Sequence, residues 1–394
     1  MLQLLIIADD FTGALDTGVQ FAALGAKSLV VTEPNYNLKN AEGLDVLIFD
    51  SETRHVGPEK AYRTVHDFVS QAKTLNVPHV YKKTDSGLRG NIGAELSGTM
   101  DALGLDTMSF IPAFPAMRRV TRGGVHYIDG VPVGESMFAS DPFNPVKHSR
   151  VHDIISEQTD RKGINVFDAE SDDDILKIAE GLGDEGLRLT AGCAGFGTVL
   201  AKVLGFNGKS AELPDMPRNL FMICGSVNPV TCGQVSYARD NGFGYVCLGA
   251  EQKLSASWPG SPECLEIAGR WLSEVRGKNA ILDANSPDEA AKTQEYIRSH
   301  NMDIETVRQN ISRSVTGAAV AMIDAGLEAR LMCVGGDTLL ELMGAVGVNE
   351  LVPVCEVEKG VVLTTFTYKG KTYYIMTKSG GFGEKDLLVR LAGK

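Results

Sequence analysis

The sequence predicts an α/β protein of two domains, each a mostly parallel β-sheet flanked by helices, with the active site in the interdomain cleft. Three observations carry this expectation. The chain has 394 residues, more than the roughly 150 typical of one domain. Short apolar runs rich in Val, Ile, Leu and Phe alternate with helical patterns, as βαβ units require. Between two such series lies GFNGKSAELPDMPRN (205–219), which has Gly, Pro and polar residues without apolar periodicity, as linkers do. These place a first domain at 1–212 and a second at 213–394.

In the first domain the expected strands are Leu2–Ala8, Ser28–Thr32, Asp45–Asp50, Val77–Tyr81, Asp106–Ile111, Ile164–Asp168 and Leu187–Thr190. Helical patterns fall at Ala14–Leu24, Pro58–Leu75, Ile92–Leu103 and Asp172–Leu182. The second domain restarts with a strand at Leu220–Cys224. Further strands are expected at Gly244–Leu248, Asn279–Asp283, Arg330–Val334, Val361–Phe366 and Thr372–Met376. Helices are expected at Pro229–Asn241, Glu263–Arg276, Pro287–His300 and Asp303–Ala325. The acidic run Asp168–Asp174 suits the first turn of a helix, where carboxylates favour the dipole, better than a metal site. No metal-ligating side-chain cluster is expected.

Composition narrows the class. A net charge of −12 argues against nucleic acid as a partner, because phosphate backbones select basic surfaces. Seven cysteines without a C-x-x-C pair read as reduced, packed thiols. The opening apolar run is too short for a signal peptide, and no stretch reaches the ~20 apolar residues of a membrane helix. The expectation is a soluble cytoplasmic protein with no membrane partner.

Two polar motifs follow strands in the first domain. ADDFTGALDTG (8–18) ends a strand in two carboxylates, Asp9 and Asp10, and ligands collect at the carboxyl ends of parallel strands. One of the pair can cap the next helix, and Asp10 is the stronger ligand candidate; Asp16 could face the pocket or solvent. KKTDSGLRGNIGAEL (82–96) places Lys82, Lys83, Asp85, Ser86, Arg89 and Asn91 around Gly87 and Gly90. Glycines let backbone approach a ligand, Arg89 can grip a carboxylate bidentately, and Asp85 can deprotonate a hydroxyl. PAFPAMRRVTRGGVHYIDGVPVGES (112–136) then carries Arg118, Arg119, Arg122 and His126 with no acid among them, a local anion pocket in an acidic protein. Its Asp129–Gly130 pair has hairpin character. Carboxylates for hydroxyls and cations for a carboxylate together suit a polyhydroxy acid.

The second domain has three strand–glycine–helix loops: CGSVNPVTCGQV (224–235), VGGDTLLEL (334–342) and TKSGGFGEKDLL (377–388). Backbone N–H groups exposed at helix N-termini bind anions, so these loops predict phosphate binding. None is a G-x-x-x-x-G-K-[ST] loop, and Gly195-Phe196-Gly197 lacks the third glycine of a dinucleotide fingerprint.

With ADDFTGA, KTDSxLRGN, PAFP, CGSVNPVT, GGDT and KSGGFG in this order, from residue 4 to about 390, the chain resembles the four-carbon acid sugar kinase family. The resemblance implies a sugar-acid-binding N-terminal domain and a nucleotide-binding C-terminal domain, with ATP as donor; Mg²⁺ is expected to bridge the phosphates. It implies phosphorylation of D-threonate or D-erythronate on a terminal hydroxyl, ALDTGVQFAALGA (14–26) standing closer to that branch than to 3-oxo-tetronate kinases. By motif, Asp9, Asp10, Lys83, Asp85, Ser86, Arg89, Gly90 and Asn91 would face the acid, with Asp85 and Asp10 as catalytic candidates. Ser226, Gly335, Gly336, Asp337, Thr338, Gly380 and Gly381 would face ATP. Gly87 stands where the family commonly has Thr or Ser. A homodimer is a candidate assembly. The alternatives are a 3-oxo-tetronate kinase of the same family and, from other classes, a nicotinamide-dependent oxidoreductase and a sugar-acid sensor without catalysis.

Overall fold

The computed structural model describes residues 2–209 and 213–393. They pack as two compact units, one holding the chain up to 211 together with Glu350–Cys355, the other holding 212–349 and 356 onward. The division expected at residue 212 falls on 210–212, outside the described residues. The return of Glu350–Cys355 to the first unit is an excursion that a single cut does not contain.

The first unit opens with β1 (Leu4–Ala8), α1 (Phe11–Ala22), β2 (Ser28–Val31), β3 (Val46–Asp50), α2 (Pro58–Thr74), β4 (His79–Lys83), α3 (Ile92–Leu103) and β5 (Met108–Ile111). The short strands β6 (Arg119–Arg122), β7 (Val125–Ile128) and β8 (Val131–Pro132) form a separate antiparallel sheet. Its β7–β8 turn has positive φ at both Asp129 and Gly130, the geometry of a type I′ hairpin. Then come α4 (Val151–Ser156), β9 (Ile164–Val166), α5 (Asp172–Leu187), β10 (Leu189–Gly192) and α6 (Ala194–Val203). The main sheet runs β2-β3-β1-β4-β10-β5-β9 and is parallel throughout. Glu350 and Leu351 extend it antiparallel to β2, opposite Val31 and Val30.

β1 is LLIIA, buried at every position. Such continuous apolar strands are what a parallel sheet covered on both faces selects. β4 runs two residues past the expected end at Tyr81, so Lys82 and Lys83 lie in the strand. Lys82 is accommodated by an ion pair with Glu95 of α3, both side chains fully buried at 2.8 Å. The acidic run 168–174 is a helix start: Ser171 and Asp174 form a capping box on α5.

The second unit contains β11 (Leu220–Cys224), α7 (Pro229–Asp240), β12 (Gly244–Cys247), α8 (Ala250–Leu254), α9 (Pro262–Val275), β13 (Ala280–Asp283), α10 (Ala290–Ser299), α11 (Ile304–Asp324), β14 (Arg330–Val334), α12 (Gly336–Val346), β16 (Val361–Tyr368), β17 (Lys371–Lys378) and α13 (Leu387–Ala392); of β15 (Glu350–Glu358), only the part from Glu356 onward belongs to it. The order β12-β13-β11-β14-β17 is parallel, with β16 antiparallel to β17. The helix expected over Pro287–His300 begins as a 3-10 turn at Pro287–Glu289 and becomes α-helical at Ala290. Among the described residues no helix is long and apolar enough to cross a membrane.

Candidate active site

In the first unit β3, β1 and β4 are neighbours, so their carboxyl-terminal loops converge: Ser51–Arg54 after β3, Asp9–Asp10 after β1, and Thr84–Arg89 after β4. The chain visits β2 and β3 on one side of β1 before crossing to β4 on the other. This is the switch point where open α/β sheets bind ligands.

Arg54 is the centre of this cluster. Its Nε donates to Asp9 Oδ2 at 2.7 Å, its Nη1 to Asp10 Oδ2 at 2.8 Å, and its Nη2 lies 2.7 Å from Asp10 Oδ1 and 3.9 Å from Asp85 Oδ1. Arg54 and Asp9 are buried. Burial opposes charge on Asp9, but Arg54, Lys83 and Lys82 outweigh it and hold the carboxyl below its ordinary value. Burial likewise opposes charge on Asp85, and Arg54, Arg89 and Lys83 overcome it, keeping Asp85 an ionised acceptor. Asp50 goes the other way: burial, Glu52 and Asp10 raise it well above the usual carboxylate range.

Asp10 is the N-cap of α1, its Oδ1 accepting from Gly13 N at 3.1 Å. It therefore serves both as cap and as partner of Arg54. Lys83 Nζ lies 4.0 Å from Asp9 Oδ1 and sits over the first turn of α1, where a Cβ on Gly13 would come within 2.5 Å of it. Gly90 has φ +86°, and a Cβ there would press to 3.0 Å on Arg54 Cγ. Only glycine lets the 85–90 loop close on Arg54.

Arg89 grips Asp85 with Nε at 2.8 Å and Nη2 at 3.1 Å, and reaches Asp141 with Nη1 at 3.1 Å. Its bidentate capacity is thus directed to protein carboxylates. Arg119 hydrogen-bonds the Ser86 hydroxyl through Nη1. Both guanidinium groups lie against the Phe138 ring, 5.0 and 5.2 Å from its centroid. Asn91 donates to Thr53 O at 2.7 Å and Val56 O at 2.8 Å, so its amide nitrogen ties two loops together. His126 is buried between the Thr121 hydroxyl and Ser86 O, each 3.0 Å away, and burial pulls its pKa down to about 4. Arg118 and Arg122 are on the surface, paired with Asp129 and Glu170. Of the arginine series, Arg119 is the one that contacts the 85–89 loop. Asp16 is half-buried on α1.

In the second unit the three glycine loops follow β11, β14 and β17, which are adjacent parallel strands. A Cβ on Gly225 would lie 3.6 Å from Thr338 Oγ1, and one on Gly380 would lie 3.2 Å from Ser226 Oγ. A Cβ on Gly381 would lie 3.6 Å from Asn228 Nδ2. Gly335, at φ +90°, turns the chain into α12 without a side-chain cap, leaving the N–H groups of Gly336 and its neighbours at the helix start. Asn228 caps α7, with Pro229 in its first turn. Asp337 is mostly exposed and pairs with Arg308 at 2.7 Å. Lys378 is buried, and desolvation lowers it to about 8. Its Nζ donates to Ser379 O, Gly380 O and Phe382 O, while Gln234 Nε2 donates to Phe382 O, Gly383 O and Glu384 O. These two side chains fix the third loop by its carbonyls, and within the loop Phe382 N donates to Ser379 O at 3.1 Å. Along the same edge, near the ends of β12 and β13, a cleft of about 540 Å³ is lined by Trp258, Tyr296, Gly249 and several glutamates. Gly195 is a packing residue: a Cβ there would be 2.8 Å from Ala113 O.

Sequence reasoning missed Arg54, Phe138 and Asp141. The family model described as a sugar-binding N-terminal domain matches residues 4–165, and the one described as a nucleotide-binding C-terminal domain matches 221–388. The chain belongs to the four-carbon acid sugar kinase family. Family relatives include a D-threonate kinase of Salmonella typhimurium, 28% identical over 98% of this chain and 97% of its own length. A D-erythronate kinase of Heliobacterium modesticaldum is 27% identical over 98% and 95%. A 3-oxo-tetronate kinase of Methylobacterium radiotolerans is 23% identical over 98% and 97%. Crystal structures from Salmonella typhimurium LT2 and Haemophilus influenzae share the fold, with TM-scores of 0.83 and 0.78, each at 19% identity and covering 99% of both chains.

Proposed function

We propose that this chain is an ATP-dependent kinase that phosphorylates D-threonate or D-erythronate on a terminal hydroxyl. The observation that carries this is the division of chemistry between two strand edges: paired carboxylates and cations after β1, β3 and β4, and glycine loops after β11, β14 and β17. Full-length relatives named for D-threonate or D-erythronate are 25–28% identical. Those named for 3-oxo-tetronate that match over the full length are 22–23% identical, which favours the first branch.

The N-terminal part, to residue 212, would bind the acid and the remainder the nucleotide. Lys83 and the spare donors of Arg119 would hold the carboxylate. Asp9, Asp10 and Ser86 would accept from or donate to the hydroxyls, with the backbone of Gly90 lining the loop and Asn91 contributing through its free carbonyl oxygen. Asp85 would orient the reacting hydroxyl and accept its proton late. A loose phosphoryl transition state asks little of the base and much of positioning, which fits a carboxylate held ionised by Arg54 and Arg89. In this reading Arg89 orients Asp85 rather than clamping the substrate.

Ser226, Gly335, Gly336, Thr338, Gly380 and Gly381 would cradle the phosphates, with Asp337 at the rim. The nucleoside would extend toward the cleft beside Trp258 and Tyr296. Groups of His, Cys, Asp and Glu able to hold a metal alone are absent among the described residues. Mg²⁺ would therefore ride on the ATP phosphates, as it commonly does, and supply charge neutralisation there. The free cysteines suit a reducing, cytoplasmic setting.

An ADP-release assay against a panel of four-carbon acids tests the function. Turnover on D-threonate or D-erythronate supports it; turnover only on a 3-oxo-tetronate moves the chain to the other branch, and none on any acid rejects it. A homodimer is part of this reading: light scattering should give twice the chain mass, and a single-chain mass removes it.

A further inference from the structure

We propose that Phe138 sets which acid the first unit accepts, by fixing Arg89 and Arg119 relative to each other. The inference rests on the kinase reading above and adds a positioning residue that touches no reacting atom.

The ring is a shared support for two cations. Arg89 Cζ is 5.0 Å and Arg119 Cζ 5.2 Å from its centroid, both within cation–π range. Each guanidinium is also tied to a different part of the 85–89 loop: Arg89 to the Asp85 carboxylate, Arg119 to the Ser86 hydroxyl. Two like charges this close to one loop repel, and the electron-rich ring offsets that repulsion while dictating where each plane lies.

The loop is shaped to admit the ring. A Cβ on Gly87 would stand 2.9 Å from three carbons of Phe138, so any side chain there would push the ring away. Phe138 is buried, while Met137 beside it and Phe143 are exposed. The same short segment supplies Asp141, whose Oδ2 accepts from Arg89 Nη1 at 3.1 Å. Asp141 is itself fixed by the backbone N–H groups of Phe143 and Asn144. Ring and carboxylate thus arrive together from residues 137–141, outside the main sheet.

The consequence is chemical. Arg89 places Asp85, where the reacting hydroxyl would sit, and Arg119 faces the carboxylate end. A single ring between them fixes the span from carboxylate anchor to base. A fixed span selects for one acid length, and on the kinase reading that length is the four-carbon aldonate, with acids of one carbon fewer or more disfavoured.

The test is steady-state kinetics of the full chain and its Phe138→Leu, Phe138→Tyr and Gly87→Ala variants. The substrates are D-threonate, D-erythronate, D-glycerate and a five-carbon aldonate, with thermal melts alongside. Phe138→Leu should raise KM for the best four-carbon acid tenfold or more. It should shrink the kcat/KM preference over three- and five-carbon acids at least tenfold, with KM for ATP within twofold. Phe138→Tyr, which keeps a ring, should retain the preference. Gly87→Ala, which displaces the ring without deleting it, should repeat the Leu pattern and decides the matter if the Leu variant does not fold. A folded Phe138→Leu or Gly87→Ala variant with its preference intact within twofold overturns this inference and leaves the kinase reading standing. A wild-type protein that turns over no acid overturns both.

Discussion

In both units the first strand lies in the interior of the sheet, the next two lie to one side of it and the next parallel strand to the other: β2-β3-β1-β4 in the first, β12-β13-β11-β14 in the second. The frames agree and the loops differ. At the first switch point the strands end in side chains that carry full charges, Asp9, Asp10, Arg54 and Asp85. At the second they end in Gly225, Gly335 and Gly380, and the available donors are main-chain N–H groups. The difference follows from the ligands proposed. Stereoisomers of a polyol differ in where each hydroxyl points, and only side chains placed individually can read that. Phosphate oxygens are alike in every nucleotide, and a row of backbone donors serves them. Each edge also has its own brace, Arg54 bonding carboxylates in one and Lys378 bonding carbonyls in the other.

The comparison breaks most visibly at the first brace. Arg54→Met would leave the buried Asp9 and its neighbours without their cation, a loss of about 3–5 kcal/mol for a broken buried pair. The melt should shift sharply downward and turnover vanish; a variant of unchanged Tm would show that Arg54 is not the brace. Next in size, Asp85→Asn should lower kcat by about 10²–10⁴-fold with a much smaller change in KM for the acid. A near-normal kcat would remove Asp85 as base.

On the nucleotide side the expected effects are smaller because backbone donors survive mutation. Gly380→Ala brings a methyl to 3.2 Å from Ser226 Oγ and should raise KM for ATP about tenfold, roughly 1.4 kcal/mol, leaving KM for the acid unchanged. Equal changes in both constants would contradict the division of labour.

The last prediction concerns pH and a residue of the first unit. The folded His126 titrates near 4, whereas an unfolded histidine titrates near 6.5. Between those values the unfolded chain binds more protons, so stability falls as pH is lowered from about 6.5 to 4. The loss is at most on the order of 3 kcal/mol. His126→Gln should flatten that part of the melting-temperature profile.

Much of this was legible from the sequence because the signals were local. ADD, KTDS and the three glycine loops stand directly after apolar strands, and strand ends in parallel sheets face a common edge. Arg54 was not read, since its partner Asp9 is 45 positions away. The available clue was that DSETR follows the apolar run Val46–Phe49 as ADD follows β1. Phe138 and Asp141 lie in a segment with no strand or helix period, so only the folded chain brings them to Arg89. Lys82 and Lys83 looked equivalent as neighbours. Strand alternation sends one to Glu95 inside the fold and the other to the edge. β15 was missed because Pro353 argues against a strand and Glu350, Glu356 and Glu358 interrupt its apolar residues, although in the fold Leu351 and Pro353 are buried between exposed Glu350 and Val352.

That strand has a practical consequence. Leu351 pairs with Val30, and Pro353 packs where Gly18 has no side chain, so the outer edge of β2 is covered by residues encoded far beyond the first unit's last helix, which ends at Val203. A fragment stopped at 211 would bare the main-chain donors and acceptors of an apolar strand, the template on which chains pair edge to edge and aggregate. Anyone seeking the sugar-binding half as an independent protein should graft residues 350–355 onto it, or supply them as a peptide; solubility with and without that hexamer measures how much of the half's integrity is borrowed.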